Sequence, residues 1–339
     1  MDHGLPDDFT VESAVALAGR APSVHNSQPW QWRVGDRTVH LYADRTRKLS
    51  GTDPDGRDLI LSCGAALHHI RVGFAALGWH TEVHRLPNPA EPDHLASLEL
   101  HRHEPTQEDI ALAAAIPRRR TDRRRHSSWT VPAGHLENLA RHAGDEGTIL
   151  RPALDAARYH LARAISEAAE VHATDPAYRT ELAAWSGRHT APDGVPSANA
   201  PVRDDTPGAL PARAFADPRL DQPEGSAGEA DETVLLVLST ASDDTMSRLR
   251  AGEATSAVLL AATSLGLATS PLTEPLEVAD TRTKVRDLVT GGTFPQMVLR
   301  TGWAPVNADP LPATPRRNLG EVLAPLGTPV TGEARYQSH

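Results

Sequence analysis

The chain has 339 residues, 39% of them apolar, enough for one large domain or two ordinary ones with a substantial core. A formal net charge of −10 argues against general nucleic-acid binding, whose footprint is a basic surface. Cys63 is the single cysteine, which excludes an intrachain disulfide or a multi-cysteine metal site, and only Lys48 and Lys284 are lysines, which leaves little room for Schiff-base chemistry.

The start of the chain, Met1 to Asp8, lacks a basic region followed by an apolar stretch, and no run approaches the ~18 apolar residues of a membrane span. A cytoplasmic protein with no membrane or nucleic-acid partner is therefore expected. The first helix is predicted over Val11 to Gly19. It runs into Ala21-Pro22-Ser23-Val24-His25-Asn26-Ser27-Gln28-Pro29-Trp30, where Pro29 fixes φ and ends the helix. A loop of small polar residues lets backbone N–H groups and an amide approach a flat heteroaromatic ring; the plainer reading is a helix-ending turn. A strand at Thr38–Tyr42 and a turn at Asp53-Pro54-Asp55-Gly56 lead to a small-residue helix, Gly64 to Gly78, and then to a strand at Ser97–Leu100. His101 and His103 beyond it lack a clear third metal ligand.

The run Arg118-Arg119-Arg120-Thr121-Asp122-Arg123-Arg124-Arg125 supplies planar, permanently charged forks that pair with phosphate, and Thr121 adds a hydroxyl donor. A solvated basic face is the alternative. Helices are predicted over Leu136–His142 and Pro152–Trp185. Residues 187–232 are rich in Pro, Gly, Ala and Asp, a connection of a length that reads as a lid or as a mobile surface loop, with a tight turn at Asp193-Gly194-Val195-Pro196. A strand at Thr233–Leu238, a second small-residue helix at Gly252–Gly266, a turn at Gly291-Gly292 and a strand at Gln296–Leu299 complete the pattern.

These elements repeat. Gly64–Gly78 lines up without gaps against Gly252–Gly266, each flanked by strands in the same order, and Val11–Gly19 corresponds to Leu136–His142. Two half-units follow, 1–115 and 116–339. The polar loop occurs only in the first and the arginine run only before the second helix set, so the two signals are complementary.

Pro22 to Trp30 as PSxxNxQPW, Arg119 to Arg123 as RRTDR, and the late Gly302-Trp303-Ala304-Pro305 and Thr314-Pro315-Arg316-Arg317-Asn318 together resemble the nitroreductase superfamily, in its Acg-type fused branch. The resemblance covers most of the chain. It implies an α+β three-layer fold in which two half-units, each an antiparallel sheet covered by helices, form an intrachain pseudo-dimer; a monomer is then possible. It also implies one FMN per chain, held across the two halves. On that resemblance Arg119, Thr121 and Arg123 fall on the phosphate and ribityl positions, with Arg316 or Arg317 completing the clamp. Pro22, Ser23, Val24 and Asn26 fall on the ring loop, and Leu272, Thr273 and Glu274 on the segment that offers a backbone donor to flavin N5, although Thr-Glu replaces the usual Glu-Gly. Gln28 sits closer to a structural turn. The implied activity is NAD(P)H-dependent hydride transfer through the flavin to a nitroaromatic, quinone or similar acceptor, with no catalytic side chain required. The competing expectation is an FMN-storage protein with an occluded flavin.

Overall fold

The computed structural model describes residues 6–188, 191–202, 210–222 and 231–328. The first part of the chain gives α1 (Asp8–Ala18), β1 (Trp30–Val34), β2 (Thr38–Ala43), the 20-residue α2 (Arg57–Ala76), β3 (Trp79–Arg85), β4 (His94–Arg102) and α3 (Gln107–Ala115). Local chemistry sets their starts: Asp7 accepts from the Thr10 N–H at the head of α1, and Thr106 with Asp109 forms a capping box on α3. The arginine run then crosses without regular structure to α4 (Ala133–Asp145) and β5 (Ile149–Pro152).

The helix predicted over Pro152–Trp185 is two helices, α5 (Asp155–Thr174) and α6 (Pro176–Ala184). Asp175 caps α6 by accepting from the Ala177 and Tyr178 N–H groups, and Pro176 opens it with an N-terminal position that needs no amide hydrogen. The chain continues through β6 (Ser186–Arg188) and β7 (Val195–Pro196), a short parallel pair, then β8 (Val234–Thr240), α7 (Thr245–Ser264), β9 (Ala268–Leu272), α8 (Glu274–Glu277), α9 (Ala279–Leu288), β10 (Phe294–Gly302), α10 (Leu319–Val322) and β11 (Leu323–Pro325).

Two main sheets result, ordered β11-β1-β2-β4-β3 and β5-β8-β10-β9. Every pairing in them is antiparallel except β1 with β11, which runs parallel. With β11 set aside, replacing β1, β2, β4 and β3 by β5, β8, β10 and β9 converts the first order into the second, and in chain order α2 and α7 both follow the second strand of their set and precede the third. The C-terminal β11 crosses back to edge the first sheet, so the last residues of the second half complete the first.

The helices α2 and α7 form the most extensive helix contact in the molecule. A Cβ on Gly64 would stand 2.1 Å from the Leu249 carbonyl oxygen, and one on Gly252 would stand 2.1 Å from the Leu61 carbonyl oxygen. Only glycine permits so close an approach of two backbones. The contacts are reciprocal, and they join the residues that the gap-free sequence alignment matches. His68 Nδ1 and His69 Nδ1 both meet Ser256 Oγ across this seam, at 2.8 and 2.7 Å.

By length and composition α2 is also apolar enough to cross a membrane, with a mean hydropathy of 1.4, contrary to the expectation of no such segment; 83% of that stretch is buried inside the protein, as befits a core helix. Cys63 on α2 is buried, its thiol directed at the Pro29 carbonyl, which agrees with a packing role.

One buried ion cluster locks the seam. Glu253 on α7 is fully buried and accepts from Arg85 at 2.7 and 2.8 Å and from Arg71 at 2.8 Å, while Arg71 also reaches Glu146 at 2.8 Å. Removing the shared carboxylate leaves Arg85 without an acidic partner among the described residues and Arg71 with Glu146 alone. Glu253→Ala is expected to cost roughly 3–5 kcal/mol, read as a lower urea midpoint at unchanged slope.

Candidate cofactor site

The cavity between the halves has a volume of about 190 Å³. Pro22, Ser23, Val24 and Asn26 line one side, Arg119, Thr121, Arg123 and Arg316 another, and Leu272, Thr273 and Glu274 a third. Arg317 is the one predicted residue outside it. Its backbone N–H donates to Gln28 Oε1 and its guanidinium to the Gln28 and Glu321 carbonyls, so it braces the loop from behind, and of the two arginines Arg316 alone borders the cavity.

The polar loop is wound tightly. His25, Asn26 and Gln28 have φ of 45°, 55° and 51°, a left-handed backbone that asparagine tolerates and that costs histidine and glutamine energy. Hydrogen bonds hold it: the Asn26 N–H donates to the Ser23 carbonyl, the Gln28 N–H to Ser23 Oγ, and the Val24 N–H to Ser62 Oγ on α2. Gln28 is structural as expected, donating from Nε2 to the carbonyls of Asn26 and Pro192. The Asn26 amide donates to the carbonyls of Gly194 and Pro315, so it also ties the loop to two other segments.

Alternate residues of the arginine run line the cavity. Arg119, Thr121, Arg123 and Arg125 face the cavity. Arg118 and Arg120 instead donate to nearby carbonyls, and Arg124 pairs with Asp122 at 2.9 Å. Arg119 is buried, and its Nε and Nη1 have no hydrogen-bond partner among the described residues. Arg316 donates to the carbonyls of Arg20, Ala21, Thr314 and Pro315 and meets no carboxylate among the described residues. Burial, then mutual repulsion, pushes these guanidinium groups down: Arg119 to about 10 with Arg120 and Arg20 beside it, and Arg316 to about 9 with Arg119, Arg20 and Arg120 beside it. Arg123 falls to about 10 through burial and Arg213; it donates to the Asn199 carbonyl and lies 4.9 Å over the Phe215 ring. Buried cations that lack a counter-ion are the donor set a phosphate satisfies.

Sequence reasoning did not find the third wall in full. One face of α2, Asp58, Leu61, Ser62 and Ala65, lines the cavity at helical spacing. The described parts of 187–232 also wall it, through Val195, Asn199, Arg213 and Phe215; residues 189–190, 203–209 and 223–230 of that stretch lie outside the described residues. The predicted turn is present, with Gly194 at φ 79°, and Asp193 is gripped by Arg47 and, at 2.5 Å, by Arg188. Arg213 pairs with Glu277 at 2.6 Å and donates to Tyr178 Oη at 2.8 Å. Burial pushes Glu274 up, but Arg213 and His172 outweigh it and hold the carboxylate below its usual range. His25 is held well below the ordinary imidazole value by burial, then by Arg213, Arg123 and His172, so it stays neutral in the cavity wall. Nothing in the sequence pattern marks Arg213 or Phe215.

Among the described residues one grouping offers three metal-type donors, Glu82, Glu99 and His101, all exposed on the first sheet and far from this chemistry in character.

A Mycobacterium tuberculosis (strain H37Rv) protein, provisionally named NAD(P)H nitroreductase Rv3131, is 50% identical over 326 residues, covering 95% of this chain and 93% of its own. The chain belongs to the Acg-type branch of the nitroreductase superfamily. The protein of the same organism provisionally named NAD(P)H nitroreductase acg is 38% identical over 328 residues, 94% of this chain and 98% of its own. No family model matches the sequence. Among solved structures, the FMN-dependent nitroreductase NfnB from Mycobacterium smegmatis in complex with NADPH is 19% identical, with a TM-score of 0.38 over 63% of this Acg-type chain and 97% of its own. A protein from Anabaena variabilis, provisionally named a nitroreductase, reaches 0.46 at 10% identity, over 89% and 90%.

Proposed function

We propose that this protein is an FMN-dependent oxidoreductase of nitroreductase type that takes reducing equivalents from NAD(P)H and passes them to a nitroaromatic, quinone or similar acceptor. The observation that carries the reading is the composition of one cavity: buried, uncompensated guanidinium groups on one side and a left-handed polar loop on another. The residues fit the cofactor. Arg119 and Arg316, with the Thr121 hydroxyl, would hold the phosphate, and Ser23 to Asn26 with Leu272 and Thr273 would flank the ring. Bound FMN supplies two-electron hydride chemistry. The chain contributes binding, orientation, exclusion of water, and positive potential from Arg123 where negative charge develops on reduction.

A second reading has its own support. Asp193, Asn26 and Arg123 fasten the 191–202 stretch over the same cavity, and a cover held by that many polar contacts favours an occluded flavin that is stored rather than turned over. Anaerobic addition of NADPH, then NADH, to the FMN-loaded protein separates the two. Rapid bleaching of the oxidised-flavin band is the expected result and establishes access; a band that only dithionite removes would replace the enzyme reading with sequestration.

A further inference from the structure

Asp58 is an acid built into the cavity wall and not accounted for by the phosphate clamp or the polar loop. It is 4% exposed, it borders the cavity on the face of α2 that carries Ser62, and its Oδ2 has no hydrogen-bond partner among the described residues. The cations near it are committed elsewhere. Arg57 turns away to the Pro295 carbonyl at 3.1 Å and Gln296 Oε1 at 2.8 Å, and Arg213 is bound to Glu277 and Tyr178. The acids near it repel a charge: Asp53, whose carboxylate accepts from the Leu59 N–H at 2.9 Å, and Glu277. Burial first, then Asp53 and Glu277, lifts the Asp58 carboxyl well above its ordinary value, with Arg57 and Arg213 opposing. Burial lifts Asp53 as well, but the backbone amides of Leu59, Asp58 and Arg57 oppose that, so the upward shift is the stronger at Asp58. A buried carboxyl whose Oδ2 lacks a hydrogen-bond partner among the described residues needs one, and Asp58 borders the cavity.

We propose that Asp58 is a cofactor-binding residue, donating a hydrogen bond from its neutral carboxyl to an acceptor atom of FMN on the polar-loop side of the cavity. The inference rests on the flavin reading above and goes beyond it by making cofactor binding proton-linked. Its ionised form offers no hydrogen and places a third negative group beside Asp53 and Glu277, so binding weakens as pH rises.

The test is FMN titration of the flavin-free full chain by fluorescence quenching, from about pH 7 to about pH 8.5, a window above the ~6 at which a phosphate takes its second charge and below the range set by the arginines. Wild-type affinity should fall as pH rises, approaching roughly tenfold per pH unit above the Asp58 midpoint. Asp58→Asn keeps a neutral donor of the same shape, so its affinity should stay flat and exceed that of the wild type at the upper end. Calorimetry of the wild type in two buffers of different ionisation enthalpy should show proton uptake in the same window, which keeps the test sound if the variant misfolds. A flat wild-type profile without proton uptake, or an Asp58→Asn profile that parallels the wild type, would overturn the inference while leaving the flavin reading intact. A wild type that binds no FMN at any pH overturns the flavin reading itself and the inference with it.

Discussion

Arg119→Met is expected to lose FMN affinity by a factor of about a hundred while raising the stability of the flavin-free protein. The two effects share one cause. Arg119 is buried with two guanidinium nitrogens unpaired among the described residues, so without an anion it pays for desolvation and receives no hydrogen bond in return. Replacing a buried, uncompensated charge by an apolar side chain of similar length removes that cost, with a gain of roughly 1–3 kcal/mol. A phosphate reverses the balance: a charge-assisted contact contributes roughly 1.5–3 kcal/mol, so its loss accounts for one to two orders of magnitude in affinity. Arg316→Met should also lower FMN affinity, without the gain in stability because it gives up its bonds to the Arg20, Ala21, Thr314 and Pro315 carbonyls, and the pair together should abolish binding. Thermal unfolding with and without FMN, beside an FMN titration, reads both signs. A variant that loses stability without FMN, or that keeps wild-type affinity, contradicts the phosphate assignment.

The second large effect lies at the seam between α2 and α7. Gly64→Ala or Gly252→Ala places a methyl carbon 2.1 Å from a carbonyl oxygen of the facing helix and within 2.9 Å of the facing glycine's Cα. Both obstacles are backbone, so no rotamer change relieves them; the helices must part along cores that α2 and α7 share with both sheets. The expected loss is about 3 kcal/mol or more, the upper end of overpacking. Gly144→Ala is the control, because a Cβ there meets nothing within 4 Å and alanine is the better helix former. Urea unfolding of the three variants should show the first two strongly destabilised and the third neutral or slightly stabilised. Equal behaviour of all three would show that the helices do not cross at these glycines.

The repeat was readable because small residues leave a signature on both sides of a close crossing: Gly64 and Gly252 align in sequence and touch in space for the same reason. The arginine run and the polar loop were readable because each packs several unusual residues into a short span. The division at 115/116 is simpler than the architecture, since β11 returns to edge the first sheet. The break between α5 and α6 was missed although Asp175-Pro176 is a strong capping pair, because the apolar pattern continues on either side of it. The choice of Arg316 over Arg317 depends on which of two adjacent side chains turns inward, and that is set by the Gln28 amide almost 290 residues away in the sequence. Asp58 and Arg213 were not readable at all, since their roles arise from burial beside residues distant in the chain. That is how a buried acid or an enclosed ion pair comes about, and periodicity does not record it.

The flavin content of the reconstituted protein tests the composite cavity most directly. The full chain, saturated with FMN and freed of excess by gel filtration, should carry one FMN per polypeptide, measured from the flavin absorbance against protein concentration and checked against the mass of the particle. One cofactor per chain is what a single arginine arm facing a single polar loop requires. Two per chain would mean that the second half-unit builds an equivalent site without the loop, and none would mean that these guanidinium groups serve a different anion.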